Sequence, residues 1–385
     1  MAYLYVIANR LTKDDAAALR IISFCKILKQ LGKDVIVISL DEVENKEIHI
    51  HKGIKYVSLR SSVNSLTARV FNLLFHKKRL KRCIENLDCE IEGLFFYIIP
   101  INSVIYLKRI ARQRQIKIYH DSVEWYSPQQ FSWGILSPQY ILQNLLNRYL
   151  VDRQVFVFAI SKFLFNYFQS RQIHCIRIPV MLDMGETQSK KHNNPDKLIL
   201  LYAGTPGKKD YLKDIVEGFA SLDNNELKNI ELQLVGVTKK QLIEFCDVPE
   251  SAIIKCGQSL TAYGRVPRNE VLKYLEKADF TVLLRSPELR YAKAGFPTKI
   301  VESLATGTPV MCNITSDLQD YLVDGQNSII VEACTPEAFK VALQRALALS
   351  WVEKQAFCLK ARKTAEEYFD YRNFISQFDS FICEK

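Results

Sequence analysis

The stretch "FTVLLRSPELRYAKAGFPTKIVESLATGTPVMCN", residues 280–313, holds the unit on which the fold turns. "FTVLLR" (280–285) is a short apolar, β-branched run, the composition of a strand buried on both faces. A polar loop follows. Gly295, Pro297 and Thr298 read as a tight turn ending at a helix cap, and Lys299 to Ala305 reads as helix. Gly307 and Pro309 stop it, and "TPVMCN" (308–313) is a second strand. Strand, helix, strand in that order joins parallel neighbours through a crossover.

The same alternation runs along the chain. In the first half the predicted strands are 3–8, 34–40, 54–59, 93–99, 116–120 and 154–160. In the second half they are 198–204, 230–236, 253–257, 280–285, 308–313 and 327–332. Amphipathic runs such as "AAALRIISFCKILKQLG" (16–32) and "NEVLKYLEKA" (269–278) lie between them. This predicts an α/β fold class with parallel sheets covered on both faces. A chain of 385 residues exceeds what one hydrophobic core usually serves. The pattern restarts near 198, after the polar stretch "DMGETQSKKHNNPDK". The expected organisation is therefore two Rossmann-like domains, 1–182 and 198–365, joined by a linker at 183–197. A helical tail, 366–385, is long enough to pack back across them. Two such domains place ligands at the strand C-termini, in a cleft between them.

Composition narrows the class. Hydrophobic residues make up 48% and charged residues 24%, as in a soluble globular protein. The N-terminus reads as a first strand and not as a signal peptide. No apolar run reaches the roughly 18 residues of a spanning helix. Ten cysteines without CxxC pairs suggest reduced thiols in cytoplasm. The net charge of +10 is uneven: residues 1–180 hold 26 Lys+Arg against 14 Asp+Glu, and residues 181–385 hold 26 against 28. The basic half suggests an anionic partner.

Several motif classes are absent. No G-x-G-x-x-G follows the first strand, "AGTPGKKD" (203–210) lacks the Walker spacing, and no Asp-x-Asp occurs to hold a metal on a nucleotide diphosphate. What remains are two loops. In the loop after 198–204, Gly204 and Gly207 admit close backbone approach, and Lys208 and Lys209 offer ammonium groups to phosphate oxygens. A lysine pair in such a loop is also an ordinary solvated turn. In 291–310, a helix beginning near Thr298 presents free N–H groups and its positive end to a diphosphate. Lys293 and Lys299 add charge there. Glu302 lies one turn past Thr298 on the same face, suited to accept from a ribose diol.

These residues carry a resemblance. "AGFPTKIVESLATGTPV" resembles the C-terminal signature of retaining glycosyltransferases of the GT-B fold, family 4. "YAGTPGKKDYLKDIVEGF", "GRVPRNEVLKYLEKADFTVLL" (264–284) and "SDLQDYLVDGQNSIIVE" (316–332) agree in order, as do "ISKFLFNYF" (160–168) and "IPVMLD" (178–183). The resemblance implies a metal-independent transferase without a cofactor, using a UDP- or GDP-sugar on a glycan or lipid-linked acceptor. It implies that Glu302 holds the donor ribose and that Lys209, or neighbouring Lys208, contacts the diphosphate. It further implies that Gly295, Phe296, Pro297 and Thr298 form the phosphate turn, that Arg265 and Val266 line the base, and that His120 lies near the reacting sugar. The catalytic set is then His120, Lys209 and Glu302. Asp121 and Glu124, close to His120 in "IYHDSVEW", are candidates to orient the imidazole or contact the acceptor. The chain departs from the family at Ala294, where a glutamate is usual, at Thr205, where an arginine is usual, and at "DDAAALR" (14–20), where the family has two glycines. The sugar is left unspecified. A sugar-nucleotide epimerase of the same fold, or a non-catalytic sugar-nucleotide-binding assembly protein, is the alternative.

The basic half has its own signal. "RVFNLLFHKKRLKRC" (69–83) interleaves Phe71, Leu74 and Phe75 with Lys77, Lys78, Arg79, Lys81 and Arg82, and "LKRIARQRQIK" (107–117) is a second basic run. On helices these can rest on an anionic bilayer, each basic residue contributing about 1 kcal/mol near the surface. The expectation is peripheral attachment at the cytoplasmic membrane face. No nucleic-acid motif is present.

Overall fold

A computed structural model describes residues 1–8, 10–13, 15–43, 47–60, 66–187, 197–205 and 209–384, with the backbone alone at 13, 41–43, 60 and 66–75. Lys208 and Gly207, expected in the phosphate loop, lie outside the described residues, as do 188–196 of the expected linker. The chain divides into two compact units: residues 1–181 with 371–385, and residues 182–370.

Among the described residues the first unit is built on eight strands: β1 (Ala2–Ile7), β2 (Asp34–Val43), β3 (His49–His51), β4 (Ile54–Arg60), β5 (Ile91–Tyr97), β6 (Lys117–Ser122), β7 (Val155–Ala159) and β8 (Cys175–Arg177). Their order is β3-β4-β2-β1-β5-β6-β7-β8, parallel except for the β3–β4 edge pair. The chain order reverses at β1/β5, the topological switch point of an open α/β sheet. One face of the sheet carries an aromatic core. Phe95 of β5, Phe158 of β7 and Phe24 of the helix Ala16–Gln30 all meet Phe378 from the helix Ile375–Cys383, at ring separations of 6.1, 4.7 and 5.3 Å. Burial of such large rings explains why the C-terminal residues join this unit.

Among its described residues the second unit has six parallel strands: β9 (Leu198–Ala203), β10 (Ile230–Val235), β11 (Leu260–Gly264), β12 (Phe280–Leu283), β13 (Val310–Cys312) and β14 (Ser328–Ile330). The order is β11-β10-β9-β12-β13-β14, with the switch point at β9/β12. Leu200, Leu232, Leu234, Phe280, Leu304 and Phe339 are fully buried in its core.

Three details differ from the sequence expectation. "IIKCG" (253–257) is not a strand. Its residues end the helix Glu250–Cys256, which stops at Gly257 with φ of 55°, and the strand is Leu260–Gly264 instead. A short apolar run interrupted by Lys255 fits a strand and a short helix equally, so periodicity cannot separate them. The tail is not one helix. The helix Trp351–Tyr368 runs through the expected boundary at 365 and belongs to the second unit, and a turn at Phe369–Asp370 precedes the last helix. The expected linker begins inside the second unit: Leu182 N–H donates to Phe369 O at 2.9 Å, and Arg362 donates to the carbonyls of Met184 and Thr187. No described helix is long and apolar enough to cross a membrane.

Candidate active site

The second unit's switch point assembles a compact charged site. β9 ends at Ala203, and Gly204 follows with φ of 152°, in the region that favours glycine. A Cβ at Gly204 would lie 2.3 Å from both Cε and Nζ of Lys299. The lysine stem thus lies directly on the glycine backbone. Gly236, after β10, has φ of 100°, and a Cβ there would lie 2.4 Å from the Gly204 carbonyl oxygen. The two glycines let the strand-end loops and Lys299 stack without side chains between them.

Lys299 stands on the helix Thr298–Ala305. Ile300, Val301 and Leu304 bury one side of it, Pro297 occupies its N-cap, and Gly307, with φ of 77°, follows its last turn. Ser303 fixes the far end, its hydroxyl 2.7 Å from both Thr281 Oγ1 and the Thr308 carbonyl. Lys299 Nζ donates to Asp210 Oδ2 at 2.7 Å and to the Tyr202 hydroxyl at 3.1 Å, and sits 4.3 Å from the Tyr202 ring centre. Arg285, just past β12, donates from Nε to Asp210 Oδ1 at 2.7 Å. Tyr202 OH donates to Asp210 Oδ2 at 2.7 Å.

The Asp210 side chain is 3% exposed, against 30% for Lys299 and 18% for Arg285. Burial alone would raise the Asp210 pKa. The charges of Lys299 and Arg285, with the hydrogen bonds of Lys299 and Tyr202, outweigh it and hold the carboxyl well below the usual carboxylate range. Burial lowers the Lys299 pKa against the opposing pull of Asp210. Two cations on one carboxylate leave one positive charge in surplus at a partly open loop. That surplus suits an anion, with the helix start adding its dipole.

The remaining predicted residues sort around this centre. Glu302, one turn beyond Thr298, is ion-paired to Arg268 of the helix Arg268–Lys277. Lys209 lies 5.9 Å from the centre of the Tyr291 ring, and its carbonyl accepts from Tyr291 OH at 2.9 Å. Lys293 pairs with Glu288 at 3.2 Å on the surface. Gly295 ends the short helix Arg290–Ala294 in extended backbone. Phe296 is buried against Tyr321 and Phe369, so it anchors the turn. Arg265 is exposed, whereas Val266 packs against Leu201, Val235, Leu275 and Ala278 and supports the core. Ala294, where a carboxylate was expected, is fully buried. Sequence reading did not single out Asp210, Arg285, Tyr202 or Arg268.

The first unit holds the other predicted residues at the end of β6. Side chains alternate along a strand, so His120 and Asp121 point to opposite faces. Asp121 is correspondingly not the partner of the imidazole. It is fully buried and accepts from both Arg20 Nε, at 2.9 and 3.0 Å, and Nη2, at 2.8 Å, and from Tyr5 OH at 3.0 Å. Arg20 also donates to the Pro179 carbonyl at 2.6 Å. This pair locks the helix Ala16–Gln30 to the sheet. His120 stacks on Phe96, its neighbour in β5, at 4.6 Å. Burial lowers its pKa to about 4, opposed in part by the Phe96 backbone, and neither ring nitrogen has a hydrogen-bond partner of ordinary geometry among the described residues. Glu124 is half-buried beyond the strand end, and its carbonyl accepts from Gln143 Nε2 at 3.0 Å.

Known proteins share this architecture. Residues 184–365 match the family model described as glycosyl transferases group 1. A protein of Methanocaldococcus jannaschii described as the uncharacterized glycosyltransferase MJ1069 is 17% identical over 359 residues, covering 90% of this chain and 88% of that one. The sucrose-phosphate synthase structure from Thermosynechococcus elongatus aligns with a TM-score of 0.74 at 15% identity, over 99% of this chain and 98% of that one. Anabaena HepE, in a structure with UDP and glucose, aligns with a TM-score of 0.69 at 11% identity, over 99% of each chain. The chain therefore has the two-domain GT-B fold of these structures, and its second unit carries the glycosyl transferases group 1 match.

Proposed function

We propose that this protein is a retaining, metal-independent glycosyltransferase of family 4 type, moving a hexosyl group from a UDP- or GDP-sugar to a glycan or lipid-linked acceptor. The observation that carries the reading is the surplus positive charge of Lys299 and Arg285 around Asp210, beside two stacked glycines at a strand switch point. In this reading the donor diphosphate approaches the Gly204 backbone. The Lys299 ammonium and the start of its helix offset the charge that builds on the leaving diphosphate, which is electrostatic stabilisation where charge develops. Lys209, with Lys208 beside it in sequence, supplies further cation. Glu302, oriented by Arg268, accepts from the ribose hydroxyls. The first unit binds the acceptor, with His120 as a neutral imidazole at its strand end. UDP bound to HepE favours a uridine donor.

The basic first unit holds the enzyme at the cytoplasmic face of a membrane, as a peripheral protein. The test is transfer of labelled sugar from UDP- and GDP-sugars into a membrane extract, with and without a chelator. Chelator-resistant label that disappears in Glu302→Ala supports the reading. Conversion of donor into another sugar nucleotide, with nothing transferred, makes the protein an epimerase and contradicts it.

A further inference from the structure

One segment of the first unit is built inside out. Residues 131–150, "FSWGILSPQYILQNLLNRYL", contain Arg148 and no other charged residue. The helix Pro138–Leu145 and the π-helical turn Leu146–Leu150 continue one another. Their polar residues Gln143 and Asn147 are 6% and 0% exposed, while Leu142, Leu145 and Tyr149 are 45%, 40% and 69% exposed. Just before them stand Trp133 and Leu136, at 72% and 71%. Gln143 donates to the Glu124 carbonyl, and Asn144 Oδ1 accepts from Trp125 Nε1 at 3.0 Å. Gln143 and Asn144 anchor the segment to the loop after β6; of its apolar side chains Leu146 is buried, while Ile141, Leu142, Leu145 and Tyr149 are exposed beside Gln139 and Arg148. A helix packed for water has the opposite arrangement. Single exposed apolar residues are ordinary, but a set concentrated on one short segment marks an interaction surface.

Charge decides the occupant. Lys108, on the helix Ile101–Arg114, donates to the Leu150 carbonyl at 2.9 Å and to Asp152 at 2.6 Å, which ties that helix to the end of the segment. The helix exposes Arg109 and Arg112, and the helix Leu66–Asn86 packed on it exposes Lys77, Lys78, Lys81 and Arg82. A second copy docked symmetrically would set basic surface against basic surface. A bilayer containing anionic lipid satisfies both features, with headgroups for the basic helices and hydrocarbon for the apolar residues.

We propose that residues 133–149 insert into the interfacial layer of an anionic lipid bilayer, beside basic helices that rest on its headgroups. The inference rests on the membrane-surface reading above and adds the inserting element. It does not depend on the donor site.

Flotation with phosphatidylcholine vesicles, with and without phosphatidylglycerol, tests it at low salt and at about 1 M salt, where the Debye length falls to about 3 Å. Two triple variants separate the terms: Trp133→Ser/Leu136→Ser/Leu145→Ser and Lys77→Glu/Lys78→Glu/Arg82→Glu. Wild type should float with the anionic vesicles and keep a salt-resistant fraction. The apolar variant should lose that fraction and bind about tenfold or more weakly at low salt, because the buried apolar area is gone. Its melting temperature should be unchanged. The charge variant should lose mainly the salt-sensitive part. If the charge variant floats like wild type while the apolar one does not, insertion stands and the electrostatic reading falls. Apolar-variant flotation equal to wild type, or wild-type binding abolished by salt, overturns insertion. A wild-type dimer that the apolar variant dissolves, with no flotation by either, also overturns it and identifies a second copy as the occupant.

Discussion

Lys299 and Arg285 approach opposite oxygens of Asp210, each at 2.7 Å, so one buried carboxylate fixes two cations from different strand-end loops. Removing that carboxylate leaves two positive groups facing each other with little water. Asp210→Asn should cost about 3 kcal/mol, the range for breaking a buried pair, reduced by the partial exposure of Lys299. The pH dependence has a definite sign. The folded-state pKa of Asp210 is depressed, so its contribution is full above the unfolded value near 4 and is lost as pH falls below it. Denaturant titrations should show the gap between wild type and Asp210→Asn constant above about pH 5 and shrinking below about pH 4.

The two glycines should fail in different ways. An alanine methyl at Gly236 meets the Gly204 carbonyl, which is backbone and cannot swing aside. Gly236→Ala should lower stability by about 1–3 kcal/mol, read as a drop in melting temperature. At Gly204, where φ is 152°, alanine carries backbone strain too, but its methyl meets the flexible end of Lys299, so Gly204→Ala should displace that lysine and weaken nucleotide binding in addition to lowering the melting temperature.

His120 titrates at about 4 because it is buried. Below the unfolded pKa near 6.5 the unfolded chain takes up a proton that the folded chain refuses. Stability should therefore fall as pH drops from about 6.5 to about 4, by up to about 3 kcal/mol from this group. NMR of the imidazole should show it neutral at pH 6, and a charged His120 there would contradict the burial argument.

The position of Ala294 is fully buried. Placing at 294 the glutamate usual in the family that the sequence resembles, by Ala294→Glu, should therefore not be silent. An unpaired carboxylate in a closed site costs several kcal/mol unless it protonates, so we expect a lower melting temperature, at least about 5 °C. An unchanged melting temperature would mean that the site opens to admit the side chain.

Glu302→Ala and Lys209→Ala should each reduce sugar transfer at least about tenfold with the fold intact. Arg268→Ala frees Glu302 from its ion pair and should raise the KM for donor more than it lowers kcat. Steady-state kinetics against donor concentration distinguishes the two patterns.

The strands were legible because buried parallel strands are continuous apolar runs, as "LILLYAG" and "YLYVIA" illustrate. Lys299 and Glu302 stood out because a glycine turn before a helix has a local signature, and Gly204 because it closes an apolar strand run. Their partners were not. Arg285 lies 75 residues from Asp210, and Lys299 lies 89 from Asp210 and 97 from Tyr202, so no local spacing announces the cluster. Asp210 itself reads as the end of a lysine loop. His120 and Asp121 look like partners in sequence, but β alternation separates them, and Asp121's true partner, Arg20, is 101 residues away. The segment around Leu142 shows a further limit. Periodicity identifies an apolar face but not whether that face points inward. Only the hydrogen bonds of Gln143 and Asn144 to the 124–125 loop decide it.

The central claim is a diphosphate site at Gly204, Asp210, Arg285 and Lys299. Calorimetric titration of UDP and GDP into wild type and Lys299→Ala tests it most directly. We predict that one nucleotide binds wild type and that Lys299→Ala weakens it at least about tenfold, while melting shows the variant folded. Equal affinity in both proteins would contradict the assignment.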